Sequence, residues 1–113
     1  MYMQQPVKES DWKLFRKRLP KWQEQYMSRL LQEYMEMLGN EKEKASTRFW
    51  GLDKRLKADK RDVGVIAEMS RSKMHGNLIA LLDEGAITLD DLEGFSEELQ
   101  ESMKFIFKNR LGK

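Results

Sequence analysis

Apolar side chains recur every three or four residues through almost the whole chain. Trp12, Phe15, Leu19, Trp22 and Tyr26 follow one another at spacings of 3, 4, 3 and 4, and Leu30, Tyr34 and Leu38 continue the row at intervals of 4. Residues so spaced share one face of an α-helix, so the row predicts a long amphipathic helix. Ser10, between Glu9 and Asp11, suits its N-cap, and Gly39-Asn40 its end. Pro20 lies inside it. Proline has no N–H to donate and disfavours helical geometry at the preceding residue, here Leu19. The helix is therefore expected to be kinked near residues 16–20, or split with Pro20 in the first turn of a second piece.

A second segment, roughly 42–60, places Phe49, Leu52 and Leu56 on one face. A third is expected from a cap near Asp62 to Gly85, with Val63, Ile66, Met74, Leu78, Leu81 and Leu82 as its stripe. No proline marks Ala58–Asp62, so residues 42–84 read as one helix or two. Gly64 and Gly76 would each weaken such a helix by about 1 kcal/mol relative to alanine.

The sharpest local signal is GAITLDDLEGF. Gly85 ends one helix, and Thr88 caps the next turn with Asp91 as a short form of the capping-box acid. Ile87 and Leu92 match a hydrophobic staple. Gly94 closes that turn, and Ser96 with Glu97 and Glu98 opens a last helix carrying Leu99, Met103, Ile106 and Phe107 inward. Strand-like alternation never persists. The expected fold is all-α: a small bundle of four or five helices forming a single domain over residues 9–110, after a loose N-terminus at 1–8.

Composition narrows the chemistry. Of 113 residues, 35% are charged and 40% apolar, against about 25% and 45–50% in globular domains, so the core is thin. There is no cysteine and one histidine, His75. That excludes a thiolate nucleophile, thiolate-bound zinc and a histidine cluster. No run approaches the roughly 18 apolar residues of a membrane span. The start, MYMQQPVKES, lacks a signal-peptide core, which points to a cytoplasmic location.

Charge is unevenly spread. Residues 41–82 hold 10 basic and 6 acidic side chains, a net of +4, and residues 83–113 hold 4 and 8, a net of −4. In the basic part, Lys54, Lys57 and Arg61 share a helix face, with Arg71 and Lys73 further on. Such residues could meet phosphates, although Asp53, Asp59 and Asp62 dilute them and mixed charge usually means a solvated face. In the acidic part, Asp90, Glu93, Glu97 and Glu101 would align only on an unbroken helix, and helix-start electrostatics accounts for them. His75 shares a face with Arg71 but has no nucleophile or carboxylate partner nearby in sequence.

The aromatic row, with Phe49 and Trp50 later in the chain, is expected to dominate the core. Met27, Met35, Met37 and Leu38 widen its apolar side, and a wide stripe can face both its own domain and a second chain. On this reading Tyr26, Leu30, Tyr34 and Met37 are the candidates to cross a homodimer interface.

Two stretches, SDWKLFRKRLPKWQEQYM and RSKMHGNLIALLDEGAITLDDLEGFSEEL, resemble a group of small uncharacterised all-helical cytosolic proteins of Firmicutes, many from gut clostridia and often labelled multidrug transporters. The resemblance covers roughly residues 8–107. It implies a bacterial cytosolic protein and carries no catalytic residue across; the label conflicts with the absence of any spanning segment. The expected function is a non-enzymatic protein–protein interaction module without a cofactor, self-associating as a homodimer or docking on another protein. The alternatives are a nucleic-acid-associated protein using residues 54–73, or a small mobile-element regulator or inhibitor using the acidic residues 83–101.

Overall fold

A computed structural model describes residues 7–111, with side chains to residue 109. Its described part is 74% helical and contains no strand. Four α-helices follow in order: α1 (Glu9–Leu38), α2 (Ala45–Asp59), α3 (Met74–Glu84) and α4 (Glu97–Leu111). Single 3-10 turns at Arg71–Lys73 and Leu89–Leu92 precede α3 and α4.

Helix α1 runs unbroken through 30 residues, about 45 Å at 1.5 Å per residue. The predicted split at Pro20 does not occur. Pro20 is exposed, so water can reach the carbonyl that its missing N–H leaves unpaired. Ser10 is not the cap: the helix starts two residues earlier, from Lys8, whose carbonyl accepts the Trp12 N–H. The predicted row is the buried one. Trp12, Phe15, Leu19, Trp22, Tyr26, Leu30 and Tyr34 join Met74, Leu78, Leu81 and Leu82 of α3, and Leu99 and Met103 of α4, in one core cluster. Trp12 stacks on Phe15 and Trp22 on Phe95, at 6.2 and 6.4 Å between ring centroids.

Polar side chains of α1 tie down the chain that returns along it. Asp11, Arg18 and Arg29 are 7 and 11 residues apart, so they share a face. The buried Asp11 carboxylate accepts the Ser96 N–H (2.8 Å) and the Ser96 hydroxyl (2.6 Å), and Ser96 Oγ in turn accepts the Leu99 N–H at the start of α4. Arg18 donates to the carbonyls of Asp91 and Glu93, and Arg29 to those of Gly85 and Ala86. These bonds satisfy backbone groups that helix ends leave open.

The third predicted helix is corrected by the structure. Residues 60–73 form turns and extended chain, and α3 begins only at Met74. The reason is distance. Tyr26 bonds Asp62 at one end of this connection and Glu9 bonds Arg71 at the other. Seventeen residues of α1 separate those anchors, about 25 Å. Nine residues of helix would cover only about 14 Å, whereas extended chain reaches it. Gly64 therefore belongs to no helix. It is buried, and a Cβ there would lie 2.2 Å from the Tyr26 ring. Glu84 at the end of α3 accepts the Val63 and Gly64 N–H groups at 2.9 and 3.0 Å and fixes the turn. Burial pushes its carboxyl above the ordinary range, and these two bonds oppose the shift.

The GAITLDDLEGF signal holds. Gly85 takes the left-handed conformation (φ 76°) that ends α3, Thr88 and Asp91 form the capping box, and Ile87 and Leu92 are buried. Residues 1–6 of the expected loose start lie outside the described residues; Val7 packs on the core and Lys8 bonds Glu98.

Replacing Gly64 by alanine is expected to destabilise the protein by roughly 1–3 kcal/mol, because the methyl group must displace a buried ring. Urea unfolding of Gly64→Ala checks this. An unchanged midpoint would show that the connection is not pressed against α1.

Candidate protein interface

The molecule measures 51 × 32 × 22 Å, with a radius of gyration of 16.8 Å. A compact domain of this length has roughly 13 Å. The excess comes from an arm, the αα-hairpin made by the C-terminal part of α1 and α2. No residue of α2 is buried.

One side of the arm is polar and self-paired. Arg55 bonds Glu33 across the hairpin and Asp59 on its own helix (2.9 Å), and its guanidinium lies 5.5 Å from the centre of the Tyr34 ring. Arg48 donates to the Leu38 carbonyl and so closes the C-terminus of α1. The Tyr34 hydroxyl donates to Asp59 and the Tyr26 hydroxyl to Asp62. Burial first, then the bond to Asp59, pushes the Tyr34 phenol up to about 12; burial and Asp62 raise that of Tyr26 as well.

The other side is apolar and exposed. Leu31 and Met35 of α1 leave 58% and 64% of their surface in solvent, and Phe49 and Trp50 of α2 leave 62% and 64%. Leu38 and Leu56 are exposed to a lesser degree. Leu31, Met35 and Leu38 follow at spacings of 4 and 3, in a row rotated by about 100° from Leu30 and Tyr34. Phe49 and Leu56 are seven apart on α2, and Trp50 packs edge-on against Phe49 at 5.0 Å. Leu31 and Leu56 line the same groove, of about 270 Å³ with almost wholly apolar walls, so the two rows adjoin.

The predicted interface residues are thereby redistributed. Tyr26, Leu30 and Tyr34 sit inside their own chain, exposed by only 8, 6 and 6%, and Met37 is half-buried against the core. Tyr26, Leu30 and Tyr34 therefore have almost no surface to offer a second copy. The width of the α1 stripe was legible from Met27, Met35 and Leu38; the face on which the surplus lies was not. Leu31 was missed because it stands one residue after a core position, where only the placement of α2 decides exposure. Phe49 and Trp50 read as core because aromatic residues usually are.

The nucleic-acid candidates fall into two separate groups, one on α2 and one at the far end of α1. Lys54 and Arg61 are exposed on or beside α2, and Lys57 pairs with Asp53 at 3.0 Å. Arg71 bonds Glu9 at the far end of α1 and lies 5.6 Å over the Trp12 ring, with Lys73 beside it in sequence. Arg55 at Glu33 and Arg71 at Glu9 are thus 24 residues of α1 apart, about 36 Å. The acidic row is broken by the Gly94–Ser96 turn, and its neighbours Glu84, Asp91 and Glu98 serve internal bonds. His75 is half-buried, and burial holds its imidazole below the ordinary value against the opposing charge of Asp11. Among the described residues no group of three or more His, Asp or Glu side chains is placed to hold a metal ion, and no helix is long and apolar enough to cross a membrane.

Comparison with protein-family models, curated proteins and solved structures finds no match to this chain.

Two outcomes follow from the placement of the tyrosines. Changing Leu30 and Tyr34 together to aspartate should unfold the chain, read as lost helical circular dichroism, because both sites are core; a soluble helical product would place them on the surface. A tyrosine whose pKa is higher folded than unfolded contributes stability that is present below the unfolded value and lost as pH rises through the folded one. Stability should therefore fall from about pH 10 to about pH 12. Tyr34→Phe should fall less steeply there in urea titrations at stepped pH, and an identical slope would contradict the assignment.

Proposed function

We propose that the chain is a non-enzymatic interaction module that works through the exposed apolar side of the α1–α2 arm. One observation carries the reading: α2 buries none of its residues, yet it and α1 present leucine, methionine and aromatic side chains to solvent, with Leu31 and Leu56 in one groove and Phe49 packed on Trp50. Apolar residues scattered singly on a surface need no explanation, whereas a contiguous patch marks a binding surface. Isolated helices of about 15 residues are marginal in water, and packing is what stabilises them. Phenylalanine, tryptophan and methionine are also the side chains enriched where proteins meet. The core body supplies the rigid base, since α1 belongs to both parts.

Tagged 113-residue chain, wild type and the variant Leu31→Glu with Phe49→Glu, is incubated with bacterial extract and with a second, differently tagged copy. The expected outcome is that the wild type retains its own copies or a distinct protein and the variant loses it, with helical content unchanged. Identical retained material from both baits would refute the reading.

A further inference from the structure

We infer that the occupant of the arm is a second copy of the same arm, and that two hairpins pack tip-to-root as an antiparallel four-helix bundle. This rests on the proposed function and names its partner. The amount of surface is the first argument. Leu31, Met35, Leu38, Phe49, Trp50 and Leu56 leave 37% to 64% of their surfaces in solvent. Together that is roughly 500–800 Å² per chain, at about 150–250 Å² for each large side chain. A two-fold contact that covers the whole patch on both copies would bury roughly 1,000–1,600 Å², which reaches the range of stable specific interfaces. An αα-hairpin with one apolar side completes a bundle most directly against its own copy.

Charge is the second argument. A two-fold contact sets each group near its own duplicate, so a strongly charged face would repel itself. Helical spacing puts Ser28 and Gln32, both neutral, beside Leu31 and Met35. On α2, Lys57 is paired with Asp53, while Lys54 beside Trp50 and Lys60 beside Leu56 keep their charge. Glu33 pairs with Arg55, and Asp59 in the groove is held by Tyr34 and Arg55. The α1 row is thus uncharged, and the lysines of α2 stand beside it.

The relative direction follows from the ends. Charge does not choose between directions: the root carries Lys60 and Arg61 with Asp59 and Asp62, and the tip carries Glu41 and Glu43 with Lys42 and Lys44. A tip-to-tip pairing would set the two bodies side by side. A tip-to-root pairing places them at opposite ends of the bundle, clear of each other.

The natural absence of cysteine allows a direct test. Light scattering of the wild type at about 100 μM, a concentration that populates micromolar dimers, should give twice the 13.5 kDa chain mass. Leu31→Glu with Phe49→Glu should give the single mass with unchanged circular dichroism. Under mild oxidation Met35→Cys, at the middle of the patch, should form a disulfide-linked dimer. Ala45→Cys, at the tip, should form several-fold less. A monomeric wild type at that concentration overturns self-pairing while leaving the interaction reading to be judged by what the arm retains from extract. Efficient cross-linking through Ala45→Cys overturns the tip-to-root arrangement. A wild type and double variant of equal mass overturn the arm as the contact.

Discussion

The structure depends on one helix being used from both sides and along its full length. Helix α1 buries a row from Trp12 to Tyr34, and every other element reaches the core by packing on some part of that row. The same helix supplies the polar groups that fasten the returning chain. Asp11 caps the start of α4, Arg18 closes the turn before it, Arg29 closes the end of α3, and Gln23 donates to the Val63 carbonyl. With 35% charged residues, the chain has few apolar side chains to spend on separate cores. A buried spine whose flanks satisfy loop backbones lets one thin core order four helices, because an unpaired buried backbone group costs about 1–3 kcal/mol.

The spine is longer than the body that covers it. Helices α3 and α4 and the extended connection are fastened to α1 between Glu9 and Arg29, and beyond that stretch its hydrogen bonds and ion pairs to other elements go to α2. The hairpin so formed is amphipathic in an uncommon sense: one side is knitted by Arg55, Glu33, Asp59 and Arg48, and the other is left apolar. The ionic contacts fix how α2 docks, and a fixed docking holds the exposed apolar side chains in place. Binding through preorganised side chains loses less entropy than binding through mobile ones.

The helical class, the long first helix, the Gly85 stop and the Thr88–Asp91 box were legible from spacing and capping chemistry, because these are local. The connection at residues 60–73 was not. Its sequence has helical periodicity and no proline, and the requirement to span about 25 Å along α1 overrides that preference. The exposed patch was half legible. Met27, Met35 and Leu38 showed that α1 is apolar over more than one face, but the assignment of Tyr26, Leu30 and Tyr34 to the outside needed the position of α2 and Gly64, which no local rule supplies. The polar roles of Asp11, Arg18 and Arg29 had a sequence trace in their spacing of 7 and 11, although nothing in that spacing says what they bond.

The central claim is that the body is complete in one chain and the arm is not. Hydrogen exchange followed at two protein concentrations tests it most directly, since local opening reports the stability of each element separately. The account predicts that amides of α1, α3 and α4 facing the core are protected alike at both concentrations, while those of α2, residues 45–59, exchange much faster in the dilute sample and slow markedly in the concentrated one. Protection of α2 equal to that of α3 and independent of concentration would contradict it.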